Sequence, residues 1–476
     1  MKSKDGEAIV IGGLGYGDEG KGSMVDYFTR VKRAGLVVRY NGGAQAGHNV
    51  KTPDGRHHTF SQFGSGTFLP EVKTHLSRFM ILNPVSIYRE EEHLQSLGVK
   101  DAFLRLTIDE NALVTTPFQI AANRLLEIWR NKNRRGSCGM GIGRTIEDCQ
   151  KYGKKVLFAG DLRNASIVEQ KLKFIRERVL ESLQEIIADI PRTEAAKKEL
   201  KILYNKDLVG VIMEYFCGLA ELVKIVGQKY FEKLIDKNLV VIFEGAQGVL
   251  LDNYFGFYPY VAKTNATLAN ADTLLREAGY LGKITRVGVL RGYSTRHGAG
   301  PFVTEDYQLS KCLWDPYNQE NQWQGKLRFG WLDLLAFRYA IKANEGIDYI
   351  ALTNLDHLSG LKTIKICLAY EYRGELNFLD PYFEFEPIGE NRAKITAIKK
   401  TLPGKDEIAK ILFQCEPSDF AEFPGWKEEL RTAADFNDMP PELKDLLTFL
   451  ESDDGLRSSI KIVSTSPTRE GKIPIH

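Results

Sequence analysis

A chain of 476 residues can bury one large α/β core or up to about three smaller ones. Its 64 Lys and Arg against 62 Asp and Glu leave a net charge of +2, which gives no global basic bias toward nucleic acid. Six scattered cysteines without a C-x-x-C pair argue against zinc and a disulfide framework. No apolar run approaches the roughly 20 residues of a membrane span, and Met1–Gly6 leads into a strand without a signal peptide, so the expectation is a soluble cytoplasmic protein with no membrane or nucleic-acid partner.

The first predicted strand is Ala8–Gly12. It runs into Gly15-Tyr16-Gly17-Asp18-Glu19-Gly20-Lys21-Gly22, and Ser23–Phe28 reads as the start of a helix. Strand, glycine turn and helix N-terminus together can form a cradle for phosphate, with backbone N–H groups and a lysine as the positive partners, or an ordinary strand-to-helix turn. The spacing nearly meets the P-loop pattern, but Gly22 stands where Ser or Thr should meet a metal. Asp18 lies inside the loop, where a carboxylate could hold Mg²⁺, take a proton, or do both.

Leu36–Tyr40 is the next predicted strand, followed by Asn41-Gly42-Gly43-Ala44-Gln45-Ala46-Gly47-His48. His48, beside glycines after a strand, could donate to a phosphate oxygen or serve a structural role. Leu104–Ile108 is a third strand, and Gly136–Arg144 is a glycine-rich segment that could wrap a ligand or merely turn. From about 165 to 237 the chain reads as a helical insertion: Leu172, Ile175, Val179, Leu183, Ile186 and Ile190 recur at spacings of three and four. Leu239–Phe243 is a strand that opens into Glu244-Gly245-Ala246-Gln247-Gly248, where a glutamine can orient a polar ligand atom. Thr285–Leu290 and Tyr349–Thr353 follow; after the second, Asn354-Leu355-Asp356 places a carboxylate where the N1 and N2 hydrogens of guanine could be received, or where a helix could be capped. Ile364–Tyr370 and Ile460–Val463 are further strands, and about 403–457 reads as acidic and helical. Near-continuous apolar strands favour a parallel sheet covered on both faces. The predicted fold is α/β: one large domain, 1–476, around a mainly parallel sheet, with a P-loop-like turn and helical insertions.

In this order, the segments Gly17–Gly22, Val38–Gly43 with Ala46–His48, Phe243–Gly248 with Leu250–Asp252, Tyr258–Val261, Tyr293–Arg296 with Gly298–Phe302, Gly330–Asp333 and Ser464-Thr465 resemble those of the adenylosuccinate synthetases across nearly the whole chain. The resemblance implies a homodimer that joins aspartate to C6 of inosine monophosphate (IMP), using GTP as co-substrate and Mg²⁺. It implies Asp18 as general base and metal ligand, the Gly47 carbonyl as a second metal ligand, and His48 as donor to the phosphoryl oxygens. Lys21 would neutralise developing charge and Gln247 would contact the 6-oxygen. GTP would meet Gly17, Glu19, Gly20, Gly22, Gly47, Arg328, Asn354, Asp356, Thr465 and Ser466.

The chain departs from the family on the acceptor and amine sides. Around the acceptor, Gln45 stands for an Asn, Cys138 and Ala262 for two Thr, and Ser137, Lys263 and His297 complete the expected contacts. Each phosphate-binding hydrogen bond removed without replacement would cost about 1–3 kcal/mol. The partner-subunit arginine of the family falls in Cys149–Lys155, where only lysines offer charge. In the amine-site loop Trp323, Gln324 and Lys326 replace threonines and an arginine, with Arg328 following, and Asn354 replaces the lysine beside the guanine-reading Asp. Two alternatives therefore accompany the main expectation. One is the same O6-phosphorylation chemistry on another purine acceptor (a nucleoside, deoxynucleotide or modified purine) or with another amino acid. The other is a non-catalytic nucleotide-binding module.

Overall fold

The structure, a computed structural model, describes residues 5–315, 318, 320, 322–400 and 406–475. Its organising element is a ten-stranded sheet in the spatial order Lys472–Pro474, Ile460–Ser464, Tyr349–Thr353, Lys283–Arg291, Glu7–Gly13, Val240–Gly248, Leu36–Arg39, Lys73–Leu76, Leu106–Asp109, Lys224–Val226. Neighbours pair in parallel except at one edge, where Lys472–Pro474 runs antiparallel to Ile460–Ser464.

The central strands are apolar on both faces because both faces are covered. Ala8, Val10, Leu36, Val38, Val241 and Phe243 pack under the helices Gln228–Asp236 and Ala269–Glu277. Ile9, Ile11, Val37, Ile242, Val287 and Val289 pack under Met24, Val25 and Phe28 of the helix Lys21–Val31. Alternate residues of one strand thus serve two layers, which is the α/β architecture read from the sequence.

Two further packed bodies flank the sheet. The helix Ala165–Leu183 buries Leu172, Ile175, Val179 and Leu183 against Leu203, Val209, Ile212, Phe216 and Leu219 of the helices that follow. On the other flank lies a five-stranded sheet of Leu332–Asp333, Thr363–Arg373, Arg392–Ile398, Phe383–Gly389 and Cys415–Pro424. Three readings of the sequence are corrected here. The strand expected at Ile364–Tyr370 belongs to this second sheet, not to the main one. The segment 403–457, expected to be helical, contains the ten-residue strand Cys415–Pro424. Its acidic side chains find cations elsewhere in the sheet, Lys365 on the adjacent strand with Glu422 at 2.9 Å and Lys394, one strand further, with Asp419 at 2.5 Å; that pairing has no local signature. The helical stretch 165–237 contains Lys224–Val226, a strand of three residues that is too short to carry a pattern.

The parallel strands end on one side of the sheet, and the strand ends and loops there carry Asp18, His48, Gln247, Asn354 and Ser466. In open α/β sheets this carboxyl edge is where ligands bind.

Candidate active site

The glycine turn Gly15–Gly22 is shaped from within by Glu19. This buried carboxylate accepts the backbone N–H groups of Gly15 (3.0 Å) and Gly17 (2.7 Å) on one oxygen and the Lys21 ammonium (2.6 Å) on the other. Lys21 also donates to the Gly17 carbonyl at 2.9 Å. Gly17 (φ 109°) and Gly20 (φ 86°) hold left-handed conformations that L side chains resist. Gly20 is the N-cap of the helix Lys21–Val31, whose N-terminus faces the cavity. Gly22 has a steric reason: a Cβ there would lie 2.8 Å from the Cβ of His48 and 3.0 Å from its carbonyl carbon. The missing P-loop hydroxyl is therefore exchanged for close approach of His48 to the helix.

His48 is held by Glu244, in the middle of the strand Val240–Gly248, with Nδ1 to Oε1 at 2.5 Å. Ser65 fixes that carboxylate through its backbone N–H (2.9 Å) and its hydroxyl (2.5 Å). Burial works to raise the Glu244 pKa, but the Arg39 guanidinium and the His48 and Ser65 hydrogen bonds hold it low. Burial lowers the His48 pKa, against the pull of Glu244. The pairing commits Nδ1 inward.

Two cavities open on these residues. One, of about 500 Å³, runs from the phosphate turn (Gly17, Asp18, Lys21, Gly22) to Asn354, Asp356, Arg431, Ser464 and Ser466. The other, of about 430 Å³, is lined by Gln45, Ser137, Cys138, Gln247, Ala262, Lys263, His297 and Gln324. Gly17, Asp18, Gly47, His48 and Asn318 line both. Burial raises the Asp18 pKa, and the charges of His297 and Arg291 oppose it. Arg291 bonds the Asp18 carbonyl, the Tyr293 hydroxyl (3.0 Å) and Asp315 (3.0 Å), so it braces the turn from the next strand.

In the second cavity Gln247 (φ 59°) accepts the Thr264 hydroxyl at 2.9 Å through Oε1. Its Nε2 is buried without a partner among the described residues, as are Gln45 Oε1 and His297 Nδ1. A free amide donor in a purine-sized cavity suits a 6-oxo group. Burial raises the Cys138 thiol pKa. Lys263 lies 3.7 Å from Glu147, and Arg130, Arg135 and Arg144 add positive charge to the lining.

Other residues singled out from the sequence lie off these cavities. The Trp323 ring packs on Gly139, where a Cβ would come within 2.9 Å of it, and under Arg124 at 5.4 Å. Lys326 is exposed, 3.9 Å from Glu320, and Asn321 lies outside the described residues. Arg328 pairs with Glu305 (2.8 Å) and donates to the Gly298 and Gly300 carbonyls, supporting the turn after His297. Thr465 is fully buried, its N–H on Gly471 O at 2.9 Å, while its neighbour Ser466 reaches the cavity. Sequence reasoning missed Glu244, Ser65, Arg291 and Arg431. Glu244 and Arg291 were findable as charged residues at the ends of apolar strands; Ser65 and Arg431 carry no such signal.

Among the described residues no group of three or more His, Cys, Asp and Glu could form a metal cage. Asp18, a carboxylate at the phosphate turn, fits Mg²⁺, which keeps most of its water and binds through one or two carboxylates and the substrate's phosphates. No helix among the described residues is long and apolar enough to cross a membrane.

Comparison with known proteins agrees along the full length. A 31% identical adenylosuccinate synthetase from Flavobacterium psychrophilum aligns over 97% of this chain and 98% of its own. One from Thermoanaerobacter sp. is also 31% identical, over 98% of both chains. The solved structure of fully ligated adenylosuccinate synthetase from Plasmodium falciparum shares the fold, with a TM-score of 0.76 at 24% identity, covering 98% of this chain and 99% of that one. The cyanophage S-2L succinoaminodeoxyadenylate synthetase bound to dGMP and dATP is more distant, with a TM-score of 0.56 at 14% identity over 98% and 95%. The family model for adenylosuccinate synthetase matches residues 9–473, and the chain belongs to that family.

Proposed function

We infer that this enzyme is a GTP-dependent ligase that joins IMP and aspartate to give adenylosuccinate, GDP and phosphate. The observation that carries the reading is the meeting of the two cavities at Asp18, Gly47 and His48. GTP lies in the cavity of the phosphate turn, and IMP lies in the other.

Asp18 takes the N1 proton of the hypoxanthine ring, so that the 6-oxygen gains nucleophilic charge. Gln247 Nε2 donates to that oxygen and aims it. O6 then bonds to the γ-phosphorus as the bridging bond to GDP breaks. His48 donates from Nε2 to the transferring phosphoryl group while Glu244 supports the imidazolium. Lys21 and the backbone N–H groups of the turn stabilise charge on the β- and γ-phosphates. The amine of aspartate attacks C6, the C6–O bond breaks, inorganic phosphate leaves, and the amine gives up its proton. Mg²⁺, held by Asp18 and the Gly47 carbonyl, would neutralise phosphate charge when bound. Gln324 of the amine-site loop and Arg135 of the same lining supply polar and cationic contacts for the amino acid. A homodimer in the cytoplasm is part of the same reading, and six free cysteines suit a reducing compartment.

Mass spectrometry of one reaction tests this. Protein, Mg²⁺, GTP, IMP and aspartate should yield a succinylated nucleotide with stoichiometric GDP and phosphate. GTP left intact would overturn the assignment of acceptor or amine, and a matrix of purines against amino acids would then locate the change.

A further inference from the structure

The far end of the nucleotide cavity holds an ion pair that the phosphoryl chemistry does not use. Arg431 Nε donates to Asp356 Oδ2 at 3.1 Å, and both residues line the cavity. The Asp356 side chain is 6% exposed and that of Arg431 is 54% exposed. Each is rigidly based. Asp356 sits in the turn Leu355–Leu358, which follows the strand Tyr349–Thr353 and is anchored by the fully buried Leu355 and Leu358. Arg431 sits in the turn Leu430–Thr432, anchored by buried Leu430 and Trp426, and the two turns pack together. Asn354, Ser464, Ser466 and Pro467 complete this end of the cavity.

A pair this exposed on one side adds little to fold stability. Its geometry has a use in recognition. Nε is committed to the carboxylate, and the guanidinium makes no other hydrogen bond among the described residues, so both Nη groups stay available. The cavity thus presents an acceptor and, beside it, planar donors. The Watson–Crick edge of guanine carries N2–H and N1–H donors followed by the O6 acceptor, which matches that order. Adenine reverses it: its N1 accepts and its N6 donates, so N1 would face the carboxylate and N6 the guanidinium.

We propose that Arg431 is a specificity-determining residue of the nucleotide site, reading O6 of the guanine base while Asp356 receives N1–H and N2–H. This rests on the reading of the cavity as a GTP site. Arginine suits the task because its fork can hold a carboxylate and a ligand oxygen at once, which a lysine cannot reproduce.

Calorimetric binding of GTP, ITP and ATP with Mg²⁺, without acceptor, separates the two claims. Wild-type protein should bind GTP tightly, ITP (which lacks only the 2-amino group) more weakly, and ATP least. Arg431→Ala should weaken GTP and ITP by a similar factor of about 10 and leave ATP unchanged or improved, collapsing the preference. Arg431→Lys should recover part of it, with melting curves showing both variants folded. Unchanged GTP binding in Arg431→Ala would make the pair a surface contact and overturn the inference alone. Tighter GTP binding would make Arg431 an obstruction over Asp356, which also overturns it. Wild-type protein that binds no guanine nucleotide, or prefers ATP, would overturn the GTP reading and the inference with it.

Discussion

A histidine that gives a proton to a phosphoryl oxygen needs its other nitrogen fixed and its cationic form stabilised. In the proposed reaction Glu244 does both for His48, and Ser65 keeps the carboxylate in place. Replacing Glu244 with Gln keeps an acceptor for Nδ1–H but removes the charge that supports the imidazolium. We expect kcat to fall about 100-fold, with KM for GTP within a few-fold of wild type. Single-turnover GTP cleavage in the presence of IMP reads this directly, and an unchanged rate would remove His48 from proton donation. Asp18, Lys21 and His48 stand out in the sequence because each lies within a short glycine motif. Glu244 lies inside a motif too, yet its partner is 196 residues away, and only the pairing of Leu36–Arg39 with Val240–Gly248 brings the two together. Asp356 was legible from its place after a strand, but its pairing with Arg431, 75 residues away, was equally beyond local reading.

The ends of strands and the first turns of helices decide what can approach what. The helix Lys21–Val31 lies so close to His48 that position 22 admits no side chain. A serine at 22 would restore the P-loop pattern, but its Cβ would press on the backbone of His48, which cannot give way as a flexible side-chain end could. Gly22→Ser should therefore displace His48 or the turn, lower kcat at least about 100-fold, and destabilise the protein by about 1–3 kcal/mol of strain. Steady-state kinetics with a urea melt would check both; a fully active Gly22→Ser enzyme would mean that the close approach is not functional. At this scale the central strands were legible because a doubly covered strand must be apolar throughout. Cys415–Pro424 was not, because it is held by its long pairing with Thr363–Arg373 and by packing of Phe420 and Phe423 that its own sequence does not announce. The loop around Trp323 shows a related limit. The sequence marks Trp323 as unusual, but its seat on Gly139 depends on two loops that meet only in the fold.

Across the whole molecule, the sheet gathers on one edge residues from position 17 to position 466, and its last strand contributes to both stability and site. Lys472, in the antiparallel edge strand Lys472–Pro474, is buried and donates to the carbonyls of Ser466 (2.7 Å) and Thr468 (2.8 Å), fastening the loop that lines the cavity beside Asn354 and Asp356. A neutral amine has hydrogens enough for both bonds. Burial pushes its pKa down to about 7, against the charges of Asp356 and Asp26, the latter paired with Arg469 at 3.1 Å. The unfolded chain keeps the ordinary lysine value near 10.5. Between these values the unfolded state holds a proton that the folded state has released, so this residue makes stability rise with pH through the window, by at most about 1.4 kcal/mol per pH unit. Below about 7 the folded amine is charged and the full cost of burying it remains. Lys472→Met removes that titration and, independently of pH, the two hydrogen bonds. The stability difference, variant minus wild type, should thus be most favourable to the variant at pH 6 and shift steadily toward wild type up to pH 10. Urea unfolding of both proteins at pH 6, 8 and 9.5 measures it. A difference that stays constant across those pH values would show that Lys472 is charged in the folded protein throughout, with Asp356 and Asp26 outweighing its burial.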